Sequence, residues 1–156
     1  MPAARRYVGF DFWANRFLPP FQDELRAELP GGSCRILEIR PVRDHPQLLS
    51  TSRHVTQGMI DVTEENWDAA SLTLSARSKV VASDPYELRI VLPADDRILH
   101  AKEVIISAAD RLAGVETSCR QNGTRLRVTL KSPVSREVRW RVRVGRAASR
   151  SDTSSR

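Results

Sequence analysis

The sequence predicts an all-β protein: an antiparallel sandwich, Greek-key or immunoglobulin-like, of about ten short strands. Three observations predict it. Apolar and polar residues alternate at period two along most of the chain, the pattern of strands with one buried face. Turn formers interrupt that alternation at Asp84-Pro85, Ala94-Asp95-Asp96, Asn122-Gly123 and Ser132-Pro133. No segment sustains the 3.6-residue period of an amphipathic helix.

The first expected strand is YVGFDFW, residues 7–13. DELRAEL (23–29) places Leu25, Ala27 and Leu29 on one face, Pro30-Gly31-Gly32 turns the chain, and SCRILEIRP (33–41) returns as a hairpin partner. QLLSTSRHVTQG (47–58) is unusual, because its hydroxyls, glutamines, histidine and arginine stand between apolar neighbours. It reads as a crossover within the segment 42–58. Strands follow at 58–62, 71–77, 86–93, 102–108, 115–121, 124–130 and 136–144, with a possible helical turn in ENWDAA (65–70). Asn122-Gly123 has the residues of a tight primed turn, with both at its centre. The domain is therefore expected over 7–144, as first strands (7–41), crossover (42–58) and remaining strands (59–144). Residues 1–6 and 145–156 are expected to be flexible, the latter too polar to order themselves.

The length of 156 residues suits one such domain. A barrel of eight strand-helix units needs roughly 250 residues. The net charge is +6, but Arg5 and Arg6 carry +2 of it and the segment 145–156 another +2. The body is nearly balanced, which disfavours nucleic acid as a partner. Cys34 and Cys119 lie in alternating segments and are expected as buried free thiols. They have no zinc-ligand spacing, so neither a metal nor a cofactor is expected. No signal peptide and no membrane span is visible, and the compartment stays undetermined.

Candidate chemistry is sparse. Ser50 and His54 lack the buried acid and fixed geometry of a triad. Asp61, Glu64, Glu65 and Asp68 surround Trp67 in sequence and read as a solvated turn rather than a pair of glycosidase carboxylates. Arg139, Arg141 and Arg143 alternate with Val138, Trp140, Val142 and Val144, so Trp140 belongs in the core and the arginines on the outer face. Such a row binds phosphate or blocks edge-to-edge aggregation. No catalytic residue is assigned. Six of the nine aromatics fall within residues 7–21. Phe12, Trp13, Phe17 and Phe21 are the candidate contact residues, for a protein partner or a carbohydrate, with Trp13 and Phe17 expected at the surface.

The run YVGFDFWANRFLPPF, then DELRAELPGGSCRILEIRPV, then HPQLLSTSRHVTQGMIDV, then ENWDAASLTLSARSKVVASDPYELRIVLP resembles the C-terminal β-sandwich of bacterial glycoside hydrolases of the α-galactosidase type. The likeness spans residues 7–144 and is densest at 32–40, 46–58 and 84–88. It implies an accessory domain beside a catalytic barrel, with the reacting carboxylates on the barrel and none here. Two other readings stand beside it: a free-standing carbohydrate-binding module, and a basic sandwich that binds nucleic acid.

Overall fold

The computed structural model describes residues 6–53, 61–94 and 99–146. These residues form β1 (Arg6–Asp11), β2 (Arg16–Phe17), β3 (Phe21–Gln22), β4 (Leu37–Pro41), β5 (Gln47–Thr51), β6 (Val62–Asp68), β7 (Thr73–Val80), β8 (Tyr86–Val91), β9 (Leu99–Ile106), α1 (Ala108–Leu112), β10 (Glu116–Asn122), β11 (Arg125–Lys131) and β12 (Arg136–Arg146). The expected antiparallel β-sandwich is present. Its middle sheet has the order β10-β11-β8-β5 and its far sheet the order β6-β7-β12-β9. A small sheet, with β1 paired to β2 and β3 on one side and β4 on the other, lies against the outside of the middle sheet.

Period-two alternation builds the core between the middle and far sheets. Tyr86, Leu88 and Ile90 of β8 and Leu126, Val128 and Leu130 of β11 face Leu74 of β7 and Val138, Trp140 and Val142 of β12. All are nearly solvent-free. Trp140 also has a polar partner, its Nε1–H donating to the buried Ser78 hydroxyl at 2.9 Å.

Side chains clasp the sandwich at its edges. On one side the Gln121 amide accepts from the Ala101 N–H and donates to the Leu99 carbonyl, both at 2.8 Å, joining β10 to β9 across the sheets. On the other, Asp61 accepts from Thr51 at 2.6 Å and from Tyr86 at 2.7 Å. Burial of the Tyr86 phenol pushes its pKa well above the ordinary value. It therefore stays a neutral donor.

Several local expectations are corrected. Residues 23–36 form no strand, Leu29 is exposed, and β4 pairs with β1 rather than with the 23–29 segment. Alternation specifies a face, but it does not provide a partner strand. The segment 47–58 is not all crossover: Gln47–Thr51 is a strand of the middle sheet, and 54–60 lie outside the described residues. ENWDAA ends a strand instead of forming a helical turn. A helix does occur, the single turn α1, whose Ser107 N-cap accepts from the Asp110 N–H at 3.0 Å. Five residues are too few for a helical period to show in sequence. The β10–β11 turn is found, but Asn122 is paired in the strand and Gly123 (φ 56°) leads the turn with Thr124. Positive φ at only the first central residue is the II′ arrangement. Arg6 and Arg146 are both paired strand residues, so the strands run slightly beyond 7–144. Cys34 and Cys119 are free but exposed, because one lies in the irregular 23–36 stretch and the other on an edge strand.

Trp140→Ala should cost about 3–5 kcal/mol through cavity formation and the stranded Ser78 hydroxyl. Urea unfolding would check it, and an unchanged midpoint would contradict the core assignment.

Candidate functional site

The outer face of the middle sheet carries charge where a half-buried sheet would normally be solvated. On β8, Glu87 and Arg89 alternate with the core residues, and on β11 Arg127 lies directly opposite Arg89. The small sheet covers them. Arg89 is 5% exposed, and its guanidinium lies 4.3 Å from the centre of the Phe10 ring. One Glu87 carboxylate oxygen accepts from Arg89 at 2.9 Å and from Arg127 at 2.6 Å. Arg89 donates further to the Ser50 hydroxyl at 3.1 Å and the Thr51 carbonyl at 2.9 Å. Burial lowers the Arg89 pKa, with Glu87 opposing and Arg127 adding to the shift.

The polar stretch in β5 now has a physical account. Leu48 faces the core, and Leu49 packs with Val8, Phe10 and Phe17 under the small sheet. Alternation alone sets these two apart, and a bulge between Leu48 and Ser50 lets Leu49 and Ser50 both serve the outer face, Ser50 opposite Arg89. Gln47 is buried too, donating to the Pro41 carbonyl at 3.0 Å and accepting from the Arg43 N–H at 3.1 Å. The Ser50 hydroxyl accepts from Arg89, and His54 lies outside the described residues.

The same network shapes the loop between β1 and β2, which presents Phe12 and Trp13. Asp11 accepts from the Ala14 N–H at 3.1 Å and from Arg35 at 2.9 and 2.5 Å. Arg127 donates to the side chain and carbonyl of Asn15 at 2.9 and 2.7 Å, holding a residue at φ 47°. Asparagine tolerates that left-handed conformation better than most residues. The Phe12 N–H donates to the Ile36 carbonyl at 2.9 Å. Trp13 thus stands 55% exposed on a loop pinned at both ends. Gly9 allows the β1–β4 approach behind it, since a Cβ there would lie 2.8 Å from the Glu38 carbonyl oxygen.

The four aromatic contact candidates have different environments. Trp13 is exposed and meets half-buried Phe12 edge-on at 82°. Phe21 is half-buried and stacks on Tyr7 at 5.6 Å. Phe17 corrects the expectation: it is buried, edge-to-face with Phe10 at 5.1 Å and 5.5 Å from Arg127. Its strand pairing with β1 turns it inward, whereas Trp13 lies in the connecting loop.

The acidic group near Trp67 does not converge. Glu64 pairs with Arg77 at 2.6 Å, while Asp68 accepts from Ser71 and the Ala70 N–H. Trp67 packs inward and stacks with His45 at 5.9 Å. Among the described residues no group of three or more His, Cys, Asp or Glu side chains is placed to hold a metal. Sequence reasoning missed Glu87, Arg89, Arg127, Asp11 and Arg35. The available signal was an ELR triplet inside the otherwise apolar YELRIV.

Phe17→Ser should destabilise by about 3 kcal/mol, whereas Trp13→Ser should stay within about 0.5 kcal/mol, as thermal melts would show. Burial raises the Asp11 carboxyl pKa, but the Ala14 N–H and the Arg35 guanidinium outweigh it, leaving the pKa below the ordinary 3.8. The unfolded state then binds its proton more readily, so this contribution is complete above the ordinary value and lost as pH falls through the folded one. Asp11→Asn should cost roughly 2 kcal/mol between about pH 5 and 7, with the gap closing only below pH 3.8. A gap independent of pH down to acid unfolding would remove the ionic part of this account. Comparison with protein-family models, curated proteins and solved structures finds no match to this chain.

Proposed function

We propose that the chain is a non-catalytic accessory β-sandwich that works beside a catalytic barrel in carbohydrate degradation, as in the α-galactosidase-type enzymes its sequence resembles. One observation carries the reading: Trp13 is more than half exposed on a loop held at both ends by hydrogen bonds from Ala14 to Asp11 and from Arg127 to Asn15. A large apolar side chain presented in advance loses little conformational entropy on association, which suits a contact residue. Phe12 supports its edge, and Ile39 and Val42 in and just after β4 are also partly exposed. The barrel supplies the reacting carboxylates in this arrangement, and the sandwich supplies a rigid contact.

A free-standing carbohydrate-binding module is the alternative. A flat pyranose platform needs roughly coplanar exposed rings, whereas Phe12 and Trp13 are nearly perpendicular and Phe17 is buried. That geometry favours a protein contact. Convergence of Arg139, Arg141 and Arg143 with Arg125 and Arg127 would favour the nucleic-acid reading. The two groups belong to opposite outer faces of the sandwich, and Arg127 is engaged under the small sheet.

The test mixes the purified chain with an α-galactosidase-type barrel lacking its own C-terminal sandwich. The chain alone should not hydrolyse a nitrophenyl α-galactoside. It should raise the melting midpoint of the barrel, and Trp13→Ala should weaken the association at least tenfold while leaving the chain's own melt unchanged. Absence of association, with saturable binding of neutral galacto-oligosaccharides by the chain alone, would replace this reading with the binding module.

A further inference from the structure

The far sheet has one face in the core and the other open. Register places Thr73, Ser75 and Arg77 of β7 beside Arg143, Arg141 and Arg139 of β12, with Ile105 and Glu103 of β9 on the other side. Asn66 and Asp68 of β6 complete the row opposite Ser75 and Thr73. Two adjoining depressions of about 500 and 150 Å³ follow this surface and share Ser75 and Arg141.

The charges on this face are unevenly compensated. Arg77 is held by Glu64 at 2.6 Å and by Glu137 at 3.1 Å. Glu64 reaches it from an irregularity in β6 where its own φ is 56°. Arg143 pairs with Glu103. Among the described residues, Arg139 and Arg141 have no carboxylate partner, although they stand two apart on one strand with a third guanidinium, Arg77, directly across from Arg139. If the row served only to repel other edges, the central strand of the sheet would be a poor place for it, because β12 is flanked on both sides.

We propose that this face binds a carboxylated polysaccharide, a chain of uronic acid residues lying along β12. The planar guanidinium fork of Arg141 takes one sugar carboxylate through two parallel hydrogen bonds, and Arg139 takes a second. Residues two apart on a strand are about 7 Å apart, so the two arginines act on separate charges rather than chelating one. Thr73, Ser75, Asn66 and Asp68 supply hydroxyl, amide and carboxylate groups for the hydroxyls of the sugar. Single-stranded nucleic acid fits less well, since no aromatic ring of the described residues lies on this face to stack a base, Trp67 and Trp140 both packing inward. A flat sheet face also has nothing to insert into a duplex groove. The proposal is independent of the Trp13 contact, which lies on the small sheet at the opposite side of the molecule.

The test is calorimetric titration of the full chain with penta-galacturonate at about 150 mM salt, a concentration that screens diffuse attraction. Saturable binding is expected. Arg139→Gln with Arg141→Gln should weaken it at least tenfold, and Arg141→Lys alone should lose most of the same affinity. Arg120→Gln with Arg125→Gln, an equal charge change on the middle sheet, should stay within twofold. Amide chemical-shift changes in the unaltered chain should cluster on β7, β9 and β12, a readout that does not depend on any variant folding. Failure to bind, an equal loss with Arg120→Gln and Arg125→Gln together, or shifts elsewhere would overturn the proposal. So would equally tight binding of polyglutamate or a single-stranded oligonucleotide with the same dependence on Arg139 and Arg141.

Discussion

The structure depends on the ion cluster Arg89–Glu87–Arg127 beneath the small sheet, with Arg89 buried against Phe10 and its two partners partly exposed. Two guanidiniums share one carboxylate oxygen, so the cluster holds a net positive charge largely shielded from water. Desolvating such groups costs several kcal/mol each unless every donor is engaged. Ser50, the Thr51 carbonyl, Asn15 and the faces of Phe10 and Phe17 engage them. The dependence runs both ways. Without the small sheet the middle sheet would expose Leu49 and Val91, and without the cluster the small sheet would have little polar anchoring. Two of its four strands are only two residues long. Such strands do not persist unsupported.

That constraint makes the β5–β8 part of the middle sheet a layer covered on both faces, which explains sequences that look contradictory along a single strand. In β8, Tyr86, Leu88 and Ile90 satisfy the core while Glu87 and Arg89 satisfy the cover. In β5 every residue is buried, yet three of five are polar, because each finds a partner: Gln47 on backbone, Ser50 on Arg89, Thr51 on Asp61. Buried polar groups are tolerated when all are hydrogen-bonded. The polarity of this segment therefore reflects its place between two layers.

The surfaces that remain differ in kind. The β1–β2 loop is small, apolar and rigid, a form that suits contact with a folded partner. The far sheet's outer face is broad and hydroxylated, its arginines and carboxylates mostly paired, with Arg139 and Arg141 left without a carboxylate partner among the described residues. The loop and this face lie on opposite sides of the sandwich, so the two contacts proposed above do not compete for one surface.

By itself the sequence determined the fold class, the strands from Thr73 onward, the inward Trp140 and the outward arginines beside it, since all of these follow from the alternation of side chains along a strand. It also located the aromatic segment that builds the small sheet. Only the tertiary structure decided which strand pairs with which: β4 took β1 as its partner, and the apolar face of residues 23–29 received none. Only packing separated Trp13 from Phe17, four residues apart with similar chemistry, by placing one in a loop and the other in a paired strand. Only the third layer turned Glu87, Arg89 and Arg127 from apparent surface charges into a covered ion cluster, with Arg89 buried. The physical reason is one of range. Alternation is a local property of a strand, whereas a partner strand, a covering sheet and a counter-ion arrive from residues such as Asn15 and Arg127, 112 positions apart.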